Sequence, residues 1–233
     1  MAQKILLVTA TAFEVQPTLA HFGCTDRWTQ GLGVAGNRLE TEMCDVLISG
    51  VGQLQSAVHI TSCLRSVEYD LVVQAGLAGS FSPLYPKCSV VTVSEEVLAD
   101  LGAESDSGFL DIGDMGLLHI DQPPFTDGFL RNPHFDLLER SGLPQVRSAT
   151  VNRTLSDPRS IGWIEGRYRP DVVNMEGAAL FHACLTLGTP FLELRAVSDL
   201  VGPRDKAAWD IPGSVKALNE HVVRLVEVFR SVP

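Results

Sequence analysis

One unit recurs along this chain and limits what it can fold into. A short apolar run stops at a polar or glycine-rich turn, and a helical pattern follows. Ile5-Leu6-Leu7-Val8 stops at Thr9-Ala10-Thr11, and Val46-Leu47-Ile48 stops at Ser49-Gly50-Val51-Gly52. After the second turn, Leu54, Ala57, Val58, Thr61 and Leu64 are predicted to share one buried helix face. Leu71-Val72-Val73 reads as a strand ending in a glycine turn over Ala75-Gly76-Leu77-Ala78-Gly79. Ser89–Val93 and Val146–Val151 are further strands, and Val172-Val173 leads through Asn174-Met175-Glu176-Gly177 into a helix over Ala178–Leu187. Phe191–Val197 is a strand running into Ser198-Asp199, and a last helix turns Val215, Leu218, Val222, Leu225 and Phe229 inward. Strands that alternate with helices predict an α/β protein with a largely parallel central sheet flanked by helices. In such folds ligands gather beyond the carboxyl ends of the strands, where the turns named above fall.

The 233 residues suit a single domain spanning 1–233, with no internal repeat and no low-complexity tract. Their 45% apolar and 20% charged content is enough for a buried core without a disulfide or metal staple. Eighteen Lys and Arg against 28 Asp and Glu leave a net charge of −10, which argues against a nucleic-acid partner because phosphates repel such a surface. Cys24, Cys44, Cys63, Cys88 and Cys184 are odd in number and contain no C-x-x-C pair, so free thiols in a reducing compartment are expected. The opening apolar run is too short for a signal peptide, and no stretch approaches the ~18 residues of a membrane span. A cytoplasmic protein without a membrane partner is the expectation. The segment Leu98–Pro133, rich in Gly, Asp and Pro, reads as a lid or a surface loop.

The chain has no P-loop, no G-x-G-x-x-G and no G-x-S-x-G elbow. His119, Asp121 and His134 match no ligand spacing, so no metal and no cofactor are expected. The acids placed just past strands carry more information: Glu14 at the start of the first helix, Glu176 after Val172–Asn174, and Asp199 after Phe191–Val197. Each alone could be a partner of a helix dipole. From separate strand ends, they can converge on one site.

The stretches Phe13-Glu14-Val15, Ser49-Gly50-Val51-Gly52, Val173-Asn174-Met175-Glu176-Gly177-Ala178 and Arg195-Ala196-Val197-Ser198-Asp199 resemble, in order, the nucleoside phosphorylase and nucleosidase superfamily. Within it the chain looks most like the futalosine hydrolases, through Ala10–Glu14, Gly76–Phe81, Ala99–Glu104 and Pro203-Arg204 with Trp209–Pro212. The resemblance implies a mixed, largely parallel sheet, a homodimer, a small-molecule purine nucleoside as partner, and cleavage of its N-glycosidic bond.

It also implies roles for individual residues. Asp199, oriented by Ser198, would be the acid at purine N7; an ordinary Asp titrates near ~3.9, so this needs a raised pKa. Glu176 and Met175 would hold the ribose, Glu14 would activate water, Arg195 would hold Glu14 or the water (or pair with Glu193), and Gly79 would line the substrate site. Phosphorylases of the superfamily place an arginine where this chain has Gln74, and Glu14 would repel phosphate, so water is the expected nucleophile. The methylthioadenosine/S-adenosylhomocysteine nucleosidases are the nearest alternative, but the base-holding Phe of their S-G-D-x-F stretch is missing from Val151–Ser156. Phe125 and Phe109 are substitutes for it, Arg204 and Lys206 are candidates for a carboxylated substrate tail, and Trp209 is a candidate pocket wall. A non-catalytic nucleoside-binding protein is the remaining alternative.

Overall fold

A computed structural model describes residues 3–23, 38–39, 41–105, 108–203 and 205–230. The first apolar run forms β1 (Ile5–Thr9), followed by α1 (Ala12–His21). Next come β2 (Arg38–Leu39), β3 (Asp45–Ile48), α2 (Gln53–Ser66), β4 (Leu71–Ser80) and β5 (Val90–Leu98). The segment after β5 holds a hairpin, β6 (Gly102–Ser105) with β7 (Gly108–Asp111), and a second, β8 (Phe125–Thr126) with β9 (Phe129–Arg131). The chain continues through α3 (Phe135–Ser141), β10 (Gln145–Thr150), α4 (Pro158–Tyr168), β11 (Val172–Asn174), α5 (Gly177–Leu187), β12 (Phe191–Leu200) and α6 (Ile211–Arg230).

A ten-stranded mixed sheet forms the centre, in the order β2-β3-β1-β4-β11-β10-β5-β9-β8, with β12 pairing β4 and β5. The pairings β4–β11, β11–β10, β10–β5, β5–β12 and β12–β4 close a ring. Part of the sheet therefore curls on itself and part stays open. Alternation along β1 sets the two cores: Leu6 and Val8 face Ile60, Leu180 and Phe181, and Ile5 and Leu7 face Leu19, Val222 and Phe229. Helices α2 and α5 thus cover one face, and α1 and α6 the other. A smaller core under α4 joins Val97, Ala149, Leu155 and Ile164.

Two local expectations need correction. The buried face of α2 is Ser56, Ile60 and Leu64, while Leu54 is 79% and Val58 is 56% exposed. The Ser49 and Ser56 hydroxyls lie 3.0 Å apart on that face, a small polar contact that an apolar pattern does not report. Ala75–Gly79 is not a turn: β4 runs on to Ser80. Glycine sits inside this strand because other groups crowd its face, as a Cβ at Gly76 would collide with Arg195 Nη1. The segment 98–133 contributes the β8–β9 hairpin to the sheet edge through β5.

Phe191, fully buried at the start of β12, packs edge-to-face on Phe181 at 4.7 Å. Phe191→Ala should lower stability by about 3–5 kcal/mol, whereas truncation of the 81% exposed Leu84 to Ala should change it by less than about 0.5 kcal/mol. Urea unfolding of both variants checks the contrast.

Candidate active site

The site begins as a break in strand pairing. β1 pairs with Leu71–Gln74 of β4, and β11 pairs with Gly79 and Ser80 on that same side. Between them, residues 75–78 lack a strand partner on this edge, because β12 occupies the other. A cavity of about 330 Å³ opens here, and Glu14, Glu176 and Asp199 all line it. This is a switch point in the sheet, where side chains from several strand ends can meet.

Glu14 stands in the first turn of α1, where its carboxylate reaches back to the helix start. Its Oε2 accepts from Thr11 N (2.9 Å), Thr11 Oγ1 (3.0 Å) and Thr9 Oγ1 (3.1 Å). Its Oε1 accepts from the unpaired Leu77 N at 3.3 Å, so the strand gap itself helps aim this carboxylate.

Glu176 stands at the N-cap position of α5, and Gly52 N donates to its Oε1 at 3.0 Å. Gly52 has φ +86° and Gly50 φ +83°, a left-handed region that favours glycine, which accounts for the spacing Gly50-Val51-Gly52. Burial pushes the Glu176 carboxyl above its ordinary value, while Arg195 and the Gly52 amide pull the other way. Arg195 itself does not line the cavity. It is buried behind it, with Nε on Glu193 Oε1 (2.7 Å), Nη2 on Gln74 Oε1 (2.9 Å) and Nη1 3.6 Å from Glu176 Oε2. Of the contacts expected of it, the structure shows the pair with Glu193. Asn174, which the sequence reading left without a role, accepts from the amides of Glu176 and Gly177 through Oδ1 (2.9 and 2.6 Å).

Asp199 follows a β-bulge, since the pairing register of β12 with β4 shifts between Val197 and Asp199. Such a bulge re-aims a side chain. Ser198 Oγ donates to Asp199 Oδ1 at 2.6 Å. Burial raises the Asp199 carboxyl above its usual range, and the Ser198 bond only partly offsets this. Gly79 lies opposite in β4, and a Cβ there would approach Val173, Val201 and Asp199 Oδ2 at 3.3, 3.3 and 3.6 Å.

Met175 and Trp209 line the cavity, as do Val151, Arg153, Thr154 and Leu155 from the stretch after β10. Asp100 holds that stretch by accepting from Asn152 N at 2.6 Å and Nδ2 at 3.1 Å. Trp209 is placed by its neighbour, because Asp210 N donates to Ser198 O at 2.9 Å. The expected stacking rings are elsewhere: Phe125 is buried in the core beside His182, and Phe109 packs on Trp163 at 4.7 Å. Among the described residues of 98–133, none lines the cavity. Arg204 and the Lys206 side chain lie outside the described residues, as does Cys24. Cys63, Cys88 and Cys184 are free thiols. Among the described residues no cluster of His, Cys, Asp or Glu could hold a metal ion, and no helix is long and apolar enough to cross a membrane.

The sequence pattern of the phosphorylase superfamily matches residues 4–229. The futalosine hydrolase of Streptomyces coelicolor is 31% identical, with 97% of each chain covered. A 5'-methylthioadenosine/S-adenosylhomocysteine nucleosidase of Geobacillus kaustophilus is 25% identical, with 89% of each covered. Among solved structures, the methylthioadenosine/S-adenosylhomocysteine nucleosidase of Colwellia psychrerythraea in complex with adenine superposes with a TM-score of 0.78 at 19% identity, over 100% of this chain and 98% of that one. Its likeness is one of fold. With the superfamily pattern spanning the sheet and all the elements around the cavity, this chain belongs to the phosphorylase superfamily.

Proposed function

We propose that this chain is an N-ribosyl hydrolase that releases hypoxanthine from futalosine, a step of menaquinone biosynthesis, with water as nucleophile. The convergence of Glu14, Glu176 and Asp199 on one cavity carries the reading. Asp199 gives a proton to purine N7 as the bond from N9 to the ribose breaks, so the base leaves neutral. Glu176 accepts from the ribose hydroxyls, and its charge favours the cation-like sugar of the transition state. Met175 packs under the sugar. Glu14 takes a proton from the attacking water, whose oxygen forms the new bond to the anomeric carbon. Ser198 orients Asp199, Gly79 leaves room for the substrate, and Arg195 acts from behind by holding Glu176. The whole of 1–233 works as one domain.

The identity to the Streptomyces futalosine hydrolase, higher than to the Geobacillus nucleosidase, favours futalosine over methylthioadenosine. Water rather than phosphate is favoured by Gln74, which is buried and engaged by Arg195. Base release from futalosine, methylthioadenosine and inosine, with and without phosphate, tests both choices by chromatography. Hypoxanthine from futalosine at a phosphate-independent rate is expected. Adenine from methylthioadenosine alone would move the assignment to the other nucleosidases, and binding without base release would make this a nucleoside-binding protein.

Asp199→Asn and Glu14→Gln should each lower kcat about 10²–10⁴-fold while leaving the circular dichroism unchanged. The acid form of Asp199 is the active one and its pKa is raised, so kcat falls as pH rises through that value. Asp199→Asn should lack this alkaline limb. An unchanged limb in that variant would assign the proton to another group.

We also place the chain in the cytoplasm, as the free thiols of Cys63, Cys88 and Cys184 favour, and the net charge of −10 argues against a nucleic-acid partner. A homodimer is supported by the exposed Phe13, Val51, Leu54 and Val58, the first two of which also line the cavity. Sedimentation equilibrium should give a dimer, and Leu54→Glu should shift it toward monomer.

A further inference from the structure

Behind the cavity, two glutamates that the proposed reaction does not use are buried side by side. Glu96 of β5 and Glu193 of β12 are each 0% exposed. Asn174 Nδ2 touches both, at 2.5 Å from Glu96 Oε1 and 3.2 Å from Glu193 Oε1. A Cβ at Gly177 would collide with those same carboxylate oxygens, so glycine at this point of the Glu176-Gly177 stretch is what lets the pair pack under the start of α5.

The charges in this cluster do not balance. The guanidinium of Arg195 faces Glu193, Glu176 and Glu96. The other groups around the pair are neutral: Ser148 and Thr150 from β10, Asn174 from β11 and Gln74 from β4. Two anions this close and this dry cannot both persist beside a cation that Glu176 also uses. Hydrogen bonding tells the two acids apart. Glu193 Oε1 receives the 2.7 Å bond from Arg195 Nε, which favours its charged form, while its Oε2 is buried without any donor. A proton on Glu96 would give the two carboxyl groups a hydrogen bond to each other.

We propose that Glu96 and Glu193 share one proton and serve as positioning residues for the reaction, fixing Asn174 and Arg195 and, through them, the Glu176 carboxylate. Burial, and next the charge of Glu193, push the Glu96 carboxyl well above its ordinary value. Glu193 is raised as well, chiefly by burial, which Arg195 opposes. Asn174 transmits the arrangement because its Oδ1 holds the Glu176 amide, and Arg195 transmits it through Nη1. The positioning part rests on the reading of Glu176 as a ribose ligand; the shared proton does not.

Infrared spectra in D2O at about pH 8, far above the ~4.3 of a free Glu, test the proton without any substrate. The difference between wild type and Glu96→Gln should contain the carbonyl stretch of one un-ionised carboxyl group, lost in the variant. Kinetics tests the positioning. Glu96→Ala should lower kcat about a hundredfold, the scale of an ångström-sized misplacement. Glu96→Gln, an isostere of the protonated acid, should recover to within about tenfold of wild type. Asn174 Nδ2 still has Ser148 Oγ and Glu193 Oε1 as acceptors in that variant. Glu193→Gln, which removes the anion under Arg195, should stay as low as Glu96→Ala. No carboxyl band in the difference spectrum overturns the shared proton. Glu96→Gln as impaired as Glu96→Ala, or unable to fold, also overturns it. Full activity in Glu96→Ala overturns the positioning role.

Discussion

A single buried guanidinium organises this molecule. Arg195 lies in the middle of β12 with 1% of its surface exposed, and every donor it carries must find an acceptor inside the protein. Glu193 of β12, Gln74 and the Leu77 carbonyl of β4, and Asn174 of β11 supply them, with Glu176 at the start of α5 as an ion-pair partner at 3.6 Å. Removing one partner of a buried charge pair of this kind costs about 3–5 kcal/mol, because the other is left uncompensated. The requirement reaches into the backbone, since Gly76 has no side chain where Arg195 Nη1 lies against β4. The arginine therefore holds together the same three strands whose ends present the cavity.

The break in pairing along β4 is the second half of that arrangement. A strand that kept β1 beside it throughout would spend its amides on the sheet. Because β1 stops opposite Gln74 and β11 starts at Gly79, Leu77 N is left to the Glu14 carboxylate. The long β12 spans both halves and carries Asp199 past its bulge to the level of Gly79. Parallel pairing gathers the ends of β1 and β3, and antiparallel pairing with β11 brings Glu176 back toward them. A fully parallel sheet of these strands would point β11 the other way and separate the carboxylates.

Much of this was legible in the sequence, and the misses have physical causes. Buried strands such as Ile5–Val8 and the face of α6 stood out because burial on both sides of a strand, or one side of a helix, leaves a periodic apolar mark. Glu14, Glu176 and Asp199 stood out as acids after strand ends. The rotation of α2 was missed because a Ser49–Ser56 contact and a surface bearing Leu54 and Val58 invert the usual pattern. Ala75–Gly79 looked like a turn because glycine signals both turns and close approach, and only the position of Arg195 separates the two. Glu96 carried no local signal, since a lone Glu in a strand reads as solvent-facing until the strand beyond it is known. Phe125 and Phe109 were plausible by composition alone; packing placed one in the core and the other against Trp163.

The two acids that meet the substrate in the proposed reaction need opposite protonation states, and the structure separates their surroundings accordingly. Burial raises both carboxyls. At Asp199 little opposes it: one hydroxyl, from Ser198, is the partner, and a protonated acid at neutral pH is what the leaving purine requires. At Glu176 a backbone amide and a guanidinium oppose it, and an anion is what the cation-like sugar requires. The guanidinium can favour the Glu176 anion only if its own charge is not consumed by other carboxylates. Glu193 lies against it and Glu96 acts on it electrostatically, so both compete for that charge. Under the shared-proton proposal, a proton held between those two leaves more of the Arg195 field to oppose the rise at Glu176, so a pair behind the cavity bears on the charge of a carboxylate that lines it.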